Sequence, residues 1–186
     1  MPNISQNNKQ IVQMGYFSVG STEDDIAIFP DKLPEEGNTV ILLFATDNLF
    51  GGTPTFSNGR QAGQPVTYFV EDTGLSYAIV VYHVEGNEEV FEGQWVTDDY
   101  GLVLFMEVEG VLEIDQIASA SSSGNTVTSL SSGTTPALSS AGDLVLGLCL
   151  TGNANDILGT RSWNNDLVEI GYIDDSRTYG SSTMGG

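Results

Sequence analysis

The sequence predicts an all-β protein: a single antiparallel β-sandwich, jelly-roll-like, with an N-terminal arm and a C-terminal tail. Three observations carry that expectation. Short runs rich in β-branched, aromatic and leucine residues recur along the chain with Gly, Asp or Asn nearby, each too short for a typical helix. No segment sustains an apolar i, i+3, i+4, i+7 pattern with helical caps. Many of the 22 glycines fall between the runs, where tight turns require positive φ.

The elements follow in order. Residues 1–10, MPNISQNNKQ, are polar and read as an arm that orders on docking. They contain no apolar h-region, so no signal peptide is expected. Residues 11–19 and 25–29 read as the first two strands, with a turn at 20–24. Pro30 and Pro34 then bracket a loop containing Asp31, followed by Glu35 and Glu36. The strongest strand signals are residues 39–46 (TVILLFAT), 76–84 (SYAIVVYHV), 101–108 (GLVLFMEV) and 142–151 (GDLVLGLCLT). Weaker ones are 65–70, 167–173 and a short run at 94–96.

Strands 101–108 and 142–151 are apolar on both faces, whereas an antiparallel sheet commonly wets one face. Two-sided burial requires cover by long loops or by other subunits. The Ser/Thr-rich stretch 118–141 resembles a linker in composition. However, Thr126, Thr128 and Leu130 alternate as an edge strand would, and too few residues follow for a second domain. The expected organisation is an arm over 1–10, one sandwich domain over 11–173 and a tail over 174–186.

Charge excludes several function classes. The chain of 186 residues holds 25 Asp and Glu against 5 Lys and Arg, a formal net charge of -20, yet only 16% of residues are charged. The acidity therefore reflects missing cations. With 40% hydrophobic residues a core is affordable, so acidic disorder does not fit. Five cations cannot line a groove for a phosphate backbone or an anionic membrane, so neither nucleic acid nor membrane is expected as a partner. The longest apolar runs are too short to span a bilayer. One Cys and one His exclude an intrachain disulfide, a multi-Cys zinc site and HExxH chemistry.

No residue stands out as catalytic. His83 lies in a strand pattern without a GxSxG elbow elsewhere, and reads as structural. Cys149 reads as an inert buried thiol. Paired carboxylates occur at Glu23-Asp24-Asp25, Glu88-Glu89, Asp98-Asp99 and Asp174-Asp175, and read first as solvated turn charges. No cofactor is expected. Calcium is the one ion left open, with Asp98, Asp99, Asp174 and Asp175 as loop candidates, because adjacent uncompensated carboxylates repel and a cation relieves them. Asp174, Ser176 and Thr178 have ligand spacing, but Gly180 falls one position late for an EF-hand. Trp95 and Trp163 are candidates for stacking on a sugar, with Trp163 favoured because it lies in a polar loop with Asn164, Asn165 and Asp166.

The order of segments also carries a resemblance. It runs through NTVILLF (38–44), TFSNG (55–59), YAIVVYHV (77–84), VLFMEVEG (103–110), IDQIASA (114–120), SSGTTP (131–136) and GDLVLG (142–147). This succession resembles the β-sandwich modules of tailed-bacteriophage virion proteins, over roughly residues 38–153. Those modules carry a "GNTLVV" strand, a "YY" strand, an "EYSG" strand and an "SSGTTPTT…DLVVG" hairpin. Here Glu107-Val108-Glu109-Gly110 stands in place of the Tyr-containing motif. The resemblance implies a structural or host-contact role in a virion and transfers no catalytic residue.

The expected function is accordingly a capsid decoration or cement protein on the outside of a phage head. Its partners would be the major capsid protein or neighbouring virion subunits, and it would act as a homo-oligomer, with a trimer favoured. The alternatives are a tail-fibre or receptor-binding module recognising host glycans through Trp163 and its neighbours, and an acidic jelly-roll glycosidase.

Overall fold

A computed structural model describes residues 11–19, 25–46, 55–58, 64–65, 68–72, 75–94, 101–110, 112–118, 134, 136–137, 145–150, 169–174 and 181–185. Every element among them is a strand: β1 (Ile11–Val19), β2 (Asp25–Ile28), β3 (Thr39–Thr46), β4 (Thr55–Ser57), β5 (Gln64–Pro65), β6 (Tyr68–Asp72), β7 (Leu75–His83), β8 (Phe91–Gln94), β9 (Gly101–Val108), β10 (Gly147–Leu150), β11 (Glu169–Asp174) and β12 (Ser181–Gly185). The described part of the chain is all-β, and every strand pairing within it is antiparallel.

The largest sheet has the order β1-β9-β3-β7-β6, so β9 lies between two strands that precede it in sequence. A four-stranded sheet runs β2-β8-β4-β5, and a three-stranded one runs β10-β12-β11. The strands at 39–46 and 101–108 fall where the sequence places them. β8 begins three residues before the short run expected at 94–96, and β10 is shorter than the expected 142–151. The edge pattern at Thr126, Thr128 and Leu130 lies outside the described residues.

Two clusters explain why β3 and β9 are apolar on both faces. Alternate residues of the large sheet, Val40, Leu42 and Phe44 with Ala78, Val80, Tyr82, Val103 and Phe105, meet Ile28, Phe56 and Phe91 of the four-stranded sheet. On the opposite face Ile41, Leu43, Leu104, Met106 and Val108 pack beside Ile11, Met14 and Tyr16 of β1 in the same sheet and against Leu112 and Leu146. Cover therefore comes from a second sheet on one side, and on the other Leu112 and Leu146 pack against a face that β1 extends within the same sheet. The chain spends these apolar faces on itself.

Aromatic rings dominate the first cluster. Phe44 meets Phe56 edge-on at 6.0 Å, and Phe91 is tilted against both Tyr82 and Phe105 at 5.4 Å. Such arrangements set the electron-poor ring edge toward the electron-rich face. Gly93 makes room for this packing. A Cβ there would lie 2.6 and 2.9 Å from Phe56 ring carbons, so the ring occupies the space a side chain would need.

Tyr82 brings a hydroxyl into this cluster, and the oxygen has no hydrogen-bond partner among the described residues. Burial pushes its pKa up from the ordinary tyrosine value, because ionisation would leave a charge in an apolar surround. The unfolded chain then loses this proton first as pH rises. The contribution is complete below about pH 10 and falls as pH climbs above it toward the raised folded value. Tyr82→Phe should raise stability by about 1 kcal/mol, since it removes a buried unpaired hydroxyl without leaving a cavity. Chemical denaturation at neutral and alkaline pH checks both parts. A variant less stable than the parent would mean that the hydroxyl is bonded.

Candidate functional site

The most elaborate polar structure among the described residues is built around Glu107, whose exposure is 0%. Glu107 lies on β9 on the same face as Val103 and Phe105, directly across from Val40 of β3. A carboxylate there is costly unless its oxygens receive hydrogen bonds. Its Oε1 accepts from the Asn38 Nδ2 at 2.6 Å and from the Glu35 backbone N–H at 2.9 Å. Its Oε2 accepts from Gln13 Nε2 at 2.6 Å. Hydrogen bonds to a carboxylate are short and roughly twice as strong as neutral ones.

Local structure delivers each donor. In β1, Ile11 pairs with Val108 and Gln13 with Glu107, so Val12 is an extra residue, a β-bulge. Without it Ile11 and Gln13 would share a face. With it Ile11 packs in the second cluster while Gln13 turns to Glu107. Asn38 closes a turn in which its N–H donates to Glu35 O at 3.1 Å and Gly37 takes φ +89°, a left-handed value that favours glycine. The Asn38 Oδ1 accepts from Gly110 N, and the neighbouring Thr39 Oγ1 donates to Gly110 O while accepting from Leu112 N. The turn thus joins β3 to the chain leaving β9.

The same groups anchor the loop over residues 29–38. Gln13 Nε2 also donates to Lys32 O at 2.8 Å, and Gln13 Oε1 accepts from Lys32 N at 3.3 Å. Gly37 N donates to Val84 O, and Val84 N to Asn38 O, continuing the β3–β7 ladder into the loop. Pro34 is buried. Between these anchors the loop exposes two large apolar side chains, Phe29 at 66% and Leu33 at 55%. Asp31, Lys32, Glu35 and Glu36 are exposed beside them. The arrangement is a surface loop held at Lys32 by exposed hydrogen bonds and at Glu35 and Asn38 by part-buried and buried ones, presenting apolar groups among carboxylates.

A second buried acid, Glu88, lies in the connection from β7 to β8. Its Oε1 accepts from Glu85 N at 2.8 Å, across Gly86 and Asn87, which both take positive φ. Its Oε2 is buried with no partner among the described residues. Glu88→Gln should therefore be neutral or stabilising by up to about 1 kcal/mol, because the amide keeps an acceptor for Glu85 N and removes a buried charged form. Urea titration of the variant decides this, and a clear loss of stability would mean that Oε2 has a partner.

The residues picked out by sequence fall differently. Trp95, Trp163, Asn164, Asn165, Asp166, Asp98, Asp99 and Asp175 lie outside the described residues. Asp174 ends β11, where it pairs with Ser181. His83 is exposed at the end of β7. Among the described residues no group of three or more His, Cys, Asp or Glu is placed to hold a metal ion, and no helix is long and apolar enough to cross a membrane. Sequence reasoning passed over Gln13, Asn38 and Glu107. The available signal was a single acid, Glu107, between Met106 and Val108 in an otherwise apolar strand. No protein-family model, curated protein or solved structure matches the chain.

Proposed function

We propose that the chain is a non-enzymatic virion structural protein, a capsid decoration or cement protein that binds the outer surface of a phage head as an oligomer, with a trimer favoured. In this reading residues 11–173 form one jelly-roll-like β-sandwich, residues 1–10 an arm and residues 174–186 a tail. The observation that carries the reading is the anchored loop exposing Phe29 and Leu33. A decoration protein needs a firm contact element on a stable body, and here the loop is hydrogen-bonded to that body before any partner arrives. The resemblance of the segment order to phage β-sandwich modules is what suggests the virion setting. The net charge of -20 supports an exterior position, since packaged DNA would repel it.

The test is binding of the purified chain to empty heads assembled from the major capsid protein encoded alongside it. Saturable binding, with heads that disassemble at a higher temperature, is expected. Absence of binding together with absence of the chain from purified virions would overturn the reading. Attachment should weaken as salt rises, because carboxylates flank the contact loop and screening reduces their attraction to a basic surface. Attachment unaffected by salt would assign the contact to apolar groups alone.

A further inference from the structure

We infer that the loop over residues 29–36 is a docking plug, with Phe29 and Leu33 as its anchors, for an apolar pocket rimmed by Lys or Arg on a different protein. Four features of the loop lead there. First, the two side chains are among the most exposed large apolar groups of the described chain, while the apolar faces of β3 and β9 are covered internally. Second, the loop is already ordered. Gln13 grips Lys32 through both backbone groups, Glu107 receives Glu35 N, and Pro34 is buried. Docking then forfeits little conformational entropy, the usual tax on a loop-mediated contact. Third, Phe and Leu projecting from a fixed backbone can fill a pocket and exclude water, the arrangement in which few residues supply most of the binding energy.

Fourth, charge selects the partner. Asp31, Glu35 and Glu36 surround the anchors and outnumber the single Lys32. A rim of Lys or Arg complements them, and like charges facing each other across an interface cost free energy. A second copy of this chain is a poor fit, because each copy carries -20 and the plug would meet another acidic surface. The inference deepens the virion reading and relies on it only for which protein bears the pocket.

The experiment places the photo-cross-linker p-benzoylphenylalanine at position 29 of the full chain, in the cells that normally produce it, with position 145 (also exposed) as control. The expected result is one dominant adduct specific to position 29, whose cross-linked peptide is apolar, flanked by Lys or Arg, and belongs to another protein. With that protein purified, Phe29→Ser combined with Leu33→Ser should weaken binding at least about 30-fold, roughly five- to sixfold per anchor. Asp31→Asn with Glu35→Gln and Glu36→Gln should slow association and flatten its salt dependence. All five side chains are exposed, so the fold is retained, and circular dichroism verifies it. An adduct to a second copy of the chain, labelling no greater than at position 145, a cross-linked peptide without basic flanks, or unchanged affinity of the double variant would each overturn the inference. An adduct with the expected chemistry on a protein absent from virions would uphold the plug and overturn the virion reading instead.

Discussion

Glu107→Leu is expected to destabilise the protein by about 4 kcal/mol. Leucine roughly fills the space but accepts nothing. Asn38 Nδ2 and the Glu35 N–H then lose their acceptor, and Gln13 Nε2 keeps only Lys32 O of its two. A buried donor left unpaired costs roughly 1–3 kcal/mol, and of the three Glu35 N–H is the best placed to find water. For a chain of this length, the melting temperature should fall by roughly 8–16 °C. Glu107→Gln separates geometry from chemistry. Its oxygen still serves Asn38 and Glu35, but its NH2 faces the NH2 of Gln13, and flipping the Gln13 amide would break both bonds to Lys32. A loss of about 2 kcal/mol is expected. Hydrogen exchange gives a local readout, because the Glu35 amide should lose protection in Glu107→Leu and keep it in Glu107→Gln. Stability within about 0.5 kcal/mol of the parent for Glu107→Leu would show that the hydrogen-bond cluster contributes nothing net.

Gly93→Ala should cost roughly 2–3 kcal/mol through overpacking. The new methyl would stand 2.6 Å from a ring carbon of Phe56, closer than carbon atoms approach without displacement. Phe56 cannot retreat freely, since it is buried and set edge-on against Phe44 at 6.0 Å. The ring, or β8 itself, must shift. Thermal unfolding should show a drop of roughly 4–12 °C. The double variant Gly93→Ala with Phe56→Leu tests the cause, because a smaller side chain at 56 relieves the clash. Its loss should be smaller than the sum of the two single losses, a coupling expected only between residues in contact. Strictly additive losses would place the strain elsewhere.

The parts of the fold legible in the sequence are those in which every side chain on a strand is apolar. TVILLFAT and GLVLFMEV announce themselves because burial on both faces leaves no polar residue to interrupt them, apart from Glu107. β8 was harder to read for a physical reason. In Phe91–Gln94 the inward positions are Phe91 and Gly93, and the side chain filling the place above Gly93 is Phe56 from β4. The pattern is complete in space but not along the chain. β4 itself, Thr55–Ser57, is too short for periodicity to register, and β12, Ser181–Gly185, has almost no apolar content. β12 is defined by backbone pairing to both β10 and β11. The buried cluster was illegible because its members are remote from one another. Gln13 lies 94 residues from Glu107 and Asn38 lies 69 away. Nothing in the spacing marks Gln13 for that role, because the bulge at Val12 alters which way it faces. Pro30 and Pro34 did mark the loop, but the exposure of Leu33 between them depends on anchors the sequence does not reveal.

The position of β9 has a consequence for the order of events during synthesis. β1 and β3 leave the ribosome early, yet they do not pair with each other, because β9 inserts between them. Until residue 108 has been made, each lacks its neighbour on that side, and the loop between them lacks the carboxylate that fixes it. Closing contacts over such separations is slow and exposes unpaired strand edges in the meantime. The docking surface is thus assembled by a late-arriving strand. A chain without β9 would carry Phe29 and Leu33 but not the geometry that presents them, so the proposed engagement would select molecules in which β9 is in place.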